Sequence, residues 1–118
     1  MTVQEAVMAF SQSEKIKSGL IWISQALAML EGIGEPEKQG GEKIIKAIIN
    51  MVLQEVALAK RVAGDASWED IEKSVDQAVV MINSGVGSES VFHLTRALSQ
   101  VTSIGHRSMS FLKEERLL

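Results

Sequence analysis

Cysteine and tyrosine are missing from this 118-residue chain, and proline occurs once, at Pro36. Without cysteine there are no disulfides and no thiolate metal sites, and the chain suits a reducing compartment. Charge of one sign is lacking as well. Twelve Lys and Arg stand against fifteen Asp and Glu, and no basic run breaks the mixture. That balance argues against a nucleic-acid footprint and an acidic-lipid patch. Long hydrophobic runs are also absent. The most apolar stretch, "GLIWISQALAML" from Gly19 to Leu30, lies close to Lys15, Lys17 and Glu31. It falls short of the roughly 20 residues needed to span a membrane. The first residues carry no basic region and place Glu5 early, which makes a poor secretion signal. The expectation is a cytoplasmic protein with no nucleic-acid or membrane partner.

What is present is an apolar fraction of 46% with 23% charged residues, the balance of one globular domain. Aromatics are few, while six methionines and abundant Ala, Leu, Ile and Val fill the apolar quota. This composition favours helices packed on helices.

Two segments resemble each other. "QALAMLEGIGE" (Gln25 to Glu35) and "QAVVMINSGVGS" (Gln77 to Ser88) share Q-A-[LV]-[AV]-M-[LI] and then G-[IV]-G, with one residue inserted in the second copy. Gly32 and Gly85 fall where a helix would end in a left-handed residue, with Ile33 and Val86 folding back on the last turn. Upstream, Ile16, Gly19, Ile23, Ala26, Leu27 and Leu30 match Trp68, Ile71, Val75, Ala78, Val79 and Ile82 at an offset of 52. Downstream, Ile44, Ile45, Ile48, Met51, Leu58 and Ala59 match Ala97, Leu98, Val101, Ile104, Phe111 and Leu112 at an offset of 53. Spacings of three and four make each set one helical stripe. "GDASWED" (Gly64 to Asp70) separates the copies, with Ser67 as helix cap. The expected fold is all-α: an antiparallel four-helix bundle of two similar hairpins, 13–64 and 65–118, preceded by a helical arm, 1–12.

The arm stands apart for a reason of register. Val3, Val7 and Phe10 share a face that points about 140° away from Ile16, Leu20, Ile23 and Leu27 if one helix continues through. "TVQE" (Thr2 to Glu5) and "SQSE" (Ser11 to Glu14) both have the form of a capping box. Either a short helix precedes the first long one, or one long helix turns a second face to a second neighbour.

Superposing the hairpins shows a surplus in the first. Ile21 and Trp22 correspond to Lys73 and Ser74, while Ile49, Leu53 and Ala57 correspond to Thr102, His106 and Ser110. A four-helix bundle requires one apolar stripe per helix, so Ile21, Trp22, Ile49, Leu53 and Ala57 form a candidate interface. Its cover is the arm, a second copy of the chain in a homodimer, or a different protein or greasy ligand.

Chemistry-bearing residues are sparse. Glu55 falls within the wide apolar face of the second helix. There it is either a buried acid with a raised pKa or an edge residue paired with Lys17, His93 or Arg96. His93, Arg96, Gln100, Ser103, Arg107 and Glu114 make a polar stripe on the last helix, read as its wet side. Glu55, His93 and Arg96 are the candidate buried polar site. No "HExxH" or "ExxH" occurs, so no metal or cofactor is expected. "GEPEKQGGEK" (Gly34 to Lys43) lacks the spacing and strand context of a phosphate loop. No catalytic residues are assigned. The expected function is a non-enzymatic interaction protein that self-associates through its first hairpin. The alternative is a ligand-binding or enzymatic bundle around Glu55.

Overall fold

The computed structural model describes residues 1–65 and 67–118. Its described residues form four helices and no strand: α1 (Val3–Leu30), α2 (Glu37–Val62), α3 (Ser67–Asn83) and α4 (Gly87–Glu114). Helix α1 packs beside α2 and α4, and α3 beside α2 and α4, while the diagonal pairs do not touch. This is an up-down-up-down antiparallel bundle, drawn out to 53 × 21 × 18 Å. No helix is long and apolar enough to cross a membrane among the described residues.

Helix α1 begins at a capping box: the Glu5 N–H donates to Thr2 Oγ1 (3.1 Å) and the Thr2 N–H to Glu5 Oε1 (3.0 Å). It then runs unbroken through Ser11–Glu14, so residues 1–12 are not a separate arm and the second capping box is not used. Glu14 instead meets Lys17 at 2.9 Å. The physical reason lies in the buried set. Ala6, Ala9, Ser13, Ile16, Leu20, Ile23, Leu27 and Leu30 alternate by three and four along the whole helix, the spacing of one coiled-coil-like seam. Val3 and Val7 are exposed and Phe10 is half-buried, so the apolar face read from them is not the packed one. At this end the core belongs to Trp68, its largest fully buried side chain, and the alanines Ala9, Ala59 and Ala63 of the same cluster leave it room.

The other helices follow the same rule. Helix α2 buries Ile45, Ile49, Val52, Val56 and Ala59; α3 buries Trp68, Ile71, Val75, Ala78 and Ile82; α4 buries Leu94, Ala97, Val101, Ile104 and Ser108. An offset of 52 relates Ile45, Ile49, Val52 and Val56 of α2 to the buried residues of α4. In α1 it holds only for Ile16, Ile23 and Leu30, since Leu20 and Leu27 are buried in place of the expected Gly19 and Ala26. The offset of 53 assigned downstream turned α2 by one residue: Ile44, Ile48 and Met51, expected in the core stripe, lie outside it.

The turns diverge. Gly85 takes φ 80°, with the Gly85 N–H bonded to Ile82 O and the Val86 N–H to Met81 O, a Schellman ending. Gly32 does not; α1 closes by a tighter turn, Gly32 N–H to Met29 O and Ile33 N–H to Leu30 O. At the start of α3 the cap is Asp65, whose Oδ1 accepts the Ser67 N–H at 2.8 Å, in place of Ser67.

Candidate functional site

Lys15, Trp22 and Met29 recur every seven residues and share one side of α1. Lys15 Nζ lies 3.0 Å from Glu55 Oε1, so this side borders the groove between α1 and α2. On α2, Ile48 lies seven residues from Glu55, and Ile44 and Met51 lie within one turn of Ile48, on the same flank. The register follows from two close approaches. A Cβ on Gly19 would come within 2.9 Å of Val52, and one on Gly41 would strike Leu30. Trp22 is thereby level with Ile48, and Met29 lies beyond Ile44 towards the α1–α2 turn. These side chains make a continuous apolar strip on the outside of the first hairpin. Trp22 is 67% exposed, Met29 74%, Ile44 64% and Met51 62%, with Ile48 partly exposed beside them. The arm residues do not cover it, since Val3 and Val7 are themselves exposed and sit near the other end of α1.

The surplus face is therefore present, with a different membership on α2. Trp22 belongs to it. Ile49 does not; it is wholly buried in the core. Leu53 packs against the core at the α2–α3 seam, seven residues from both Lys46 and Lys60, which bond to Asn83 and Glu72 of α3. Ala57 is exposed but contributes little apolar area. Ile21 lies on the opposite flank of α1, seven residues above Glu14, which lines the cleft towards α4. The three-and-four seam starting at Ile45 was the signal that could have set α2 correctly.

Glu55 closes the strip at its lower end. Gln12 Nε2 donates to Glu55 Oε2 (3.0 Å) and to the Glu55 carbonyl (3.1 Å), and Lys15 makes the ion pair. The Gln12 hydrogen bond, then that of Lys15, holds its carboxyl below the usual range, so of the two readings Glu55 is the paired edge residue and not the buried acid with a raised pKa. Its partners are not Lys17, His93 or Arg96. Gly105 of α4 packs on Ser13, near Gln12, and His93 lies twelve residues further along, about 18 Å away at 1.5 Å per residue. Helices α2 and α4 are also diagonal across the bundle. No polar site joins Glu55 to His93 and Arg96.

Those two residues gather instead around Phe92. The His93 ring meets it edge-on at 5.3 Å, and the Arg96 guanidinium lies 5.5 Å from its centroid. The stripe below them is largely the wet side expected, with Ser103, Arg107 and Glu114 exposed, while two of its members also reach across the bundle. Gln100 Oε1 accepts from Ser74 Oγ, and Arg107 binds Asp65 Oδ2 at 2.8 Å and Ser67 Oγ at 3.3 Å. Burial works to raise the Asp65 pKa, but the Arg107 and Ser67 hydrogen bonds outweigh it and the carboxyl sits low. Sequence reasoning missed Asp65, Gln12 and Lys15, because each finds its partner on another helix.

A cleft of about 170 Å³ separates α1 from α4, lined by Phe10, Ser13, Lys17, Gly105, His106 and Met109 among others. Three of its polar side chains are engaged within the helices: Ser13 Oγ donates to Phe10 O, Thr102 Oγ1 to Leu98 O, and Lys17 to Glu14. Among the described residues no His, Cys, Asp or Glu cluster could hold a metal ion. No family model, no curated protein and no solved structure matches the chain.

Proposed function

We propose that this protein is a non-enzymatic interaction module that associates with itself, as a homodimer, through the α1–α2 face, and offers its remaining surface to a protein partner. One observation carries the reading: the strip of Trp22, Met29, Ile44, Ile48 and Met51 is exposed in a chain whose core is complete without it. A contiguous apolar patch of that kind on a helical bundle marks an interaction site. Tryptophan at its middle is the residue type most enriched among interface anchors, and methionine adapts to a facing surface. The absence of cysteine suits work in a reducing cytoplasm.

Light scattering on a sizing column tests this. The wild type is expected at twice its 12.9 kDa chain mass. Trp22→Ala combined with Met51→Ser is expected to weaken association about 30-fold or more, the effect of losing one strong anchor. Ile21→Ser, on the other flank, is expected to leave the mass unchanged. A wild type that stays monomeric at high concentration sinks the reading.

A further inference from the structure

The six methionines of the chain differ in exposure. Met29 at 74% and Met51 at 62% are the most exposed, and both belong to the α1–α2 strip. Met1 is 51% exposed and sits beside the start of α1, away from the strip, while Met8, Met81 and Met109 are partly buried. Along the helix axis, Met29 stands about 10 Å from Trp22 towards the α1–α2 turn, and Met51 about 5 Å from it in the other direction. Trp22 thus lies between two accessible thioethers, in a chain with no thiol to react first. Resting on the self-association proposed above, we propose that Met29 and Met51 form an oxidation site for peroxides, and that their conversion to sulfoxides keeps two chains apart.

The chemistry is an oxygen transfer. A lone pair on the methionine sulfur attacks one oxygen of hydrogen peroxide. The S–O bond forms as the O–O bond breaks, the proton on the transferred oxygen passes to the departing hydroxide, and water leaves. Sulfur gives up two electrons and the peroxide takes them. A flexible apolar side chain has become a polar one, and methionine sulfoxide reductases reverse the change. Within the strip only Trp22 carries a side-chain hydrogen-bond donor. A symmetric pair of oxidised chains holds four sulfoxides against two indole N–H groups, so at least two sulfoxides find no donor in the facing strips. Each buried without a partner weakens association about tenfold or more, and together they weaken it about 100-fold or more. Pairing also covers the same thioethers, so the reaction runs through the free chain and slows as the chains associate.

The test uses hydrogen peroxide on the full chain, near the concentration at which wild-type pairs half dissociate. Treatment continues until peptide mass spectrometry finds one added oxygen on Met29 and one on Met51. Light scattering is then expected to show the wild type fallen from the mass of a pair to that of one chain. Met29→Leu combined with Met51→Leu keeps the strip apolar without sulfur, and the same treatment is expected to leave it paired. Reductases for both sulfoxide epimers are expected to restore the wild-type pair. In a concentration series, oxidation of Met29 and Met51 is expected to slow as pairs form, while Met1 keeps its rate. An oxidised wild type that stays paired overturns the proposal and leaves self-association standing. Dissociation of the treated leucine variant assigns the effect to another residue and overturns it too. An untreated wild type that is monomeric at every concentration removes the self-association and the proposal with it.

Discussion

Glu55, the discordant acid of the sequence, is satisfied by partners on the neighbouring helix, and Asp65, which the sequence did not single out, is satisfied in the same way from elsewhere in the bundle. Glu55 is held by Gln12 and Lys15, and Asp65 by Arg107 and the start of α3. The exposed pairs are worth little individually, because water screens them. Asp65 is the more telling case, since its side chain is 15% exposed and ties the α2–α3 link to the far end of α4. Its native pKa lies below its unfolded value of about 3.9. The stability it contributes is therefore complete above that pH and lost as the pH falls through the native pKa. Urea unfolding of wild type and Arg107→Ala at pH 7 and at pH 3 is expected to show a difference on the order of 1 kcal/mol at pH 7 that shrinks at pH 3. A difference that stays constant across this range would show that the pair does not set the Asp65 titration. Among the described residues, two buried nitrogens, Trp68 Nε1 and His93 Nδ1, have no hydrogen-bond partner, and nothing in the structure explains them.

At the scale of the element, all four helices obey the alternation of three and four, and the alternation determines which neighbour is inside. Adjacent residues on α2 give the sharpest test. Ile49 is wholly buried and Ile48 is 37% exposed. Ile49→Ala is expected to cost about 2–5 kcal/mol in denaturant unfolding, the transfer and cavity cost of a core truncation. Ile48→Ala is expected to cost under about 1 kcal/mol of fold stability, as a surface change does. Equal losses would contradict the register. Helix α1 shows how an element can carry two roles. Its seam serves the bundle from Ala6 to Leu30, while the residues between seam positions are mostly polar from Ser11 to Ser18 and turn apolar again at Ile21. The stretch that stood out in the sequence is a core seam and an outer face on one helix.

The whole molecule places its two tryptophans in opposite situations, one buried at the core's end and one exposed at the middle of the strip. Fluorescence can therefore separate fold from assembly. In a Trp68→Phe variant the emission of Trp22 is expected to move to shorter wavelength as concentration rises and the face is covered. In Trp22→Phe the emission of Trp68 is expected to stay at short wavelength at every dilution. A Trp22 emission that never moves would mean the strip stays wet. The elongated shape follows from helices of 26 and 28 residues meeting along their length, and it gives this small chain a side wall broad enough for a partner.

The helical class, the two hairpins and the surplus of apolar residues in the first were legible from composition and spacing, because they depend on local periodicity alone. Trp22 was legible from the same comparison, although its counterpart Ser74, read there as solvent-facing, is buried in α3. The membership of the α2 face was not. A one-residue change of offset rotates a helix by about 100°, and internal similarity among Ala, Leu, Ile and Val tolerates either choice. What settled it was packing, in which Ile45, Ile49, Val52 and Val56 meet the seams of the other helices. The first turns of α1 were misread for a related reason. Large residues such as Val3, Val7 and Phe10 dominate a helical wheel, but beside Trp68 the core had space only for alanine. The partners of Glu55 lay equally out of reach, because proximity between Gln12, Lys15 and a residue forty positions away exists only once α1 and α2 lie side by side.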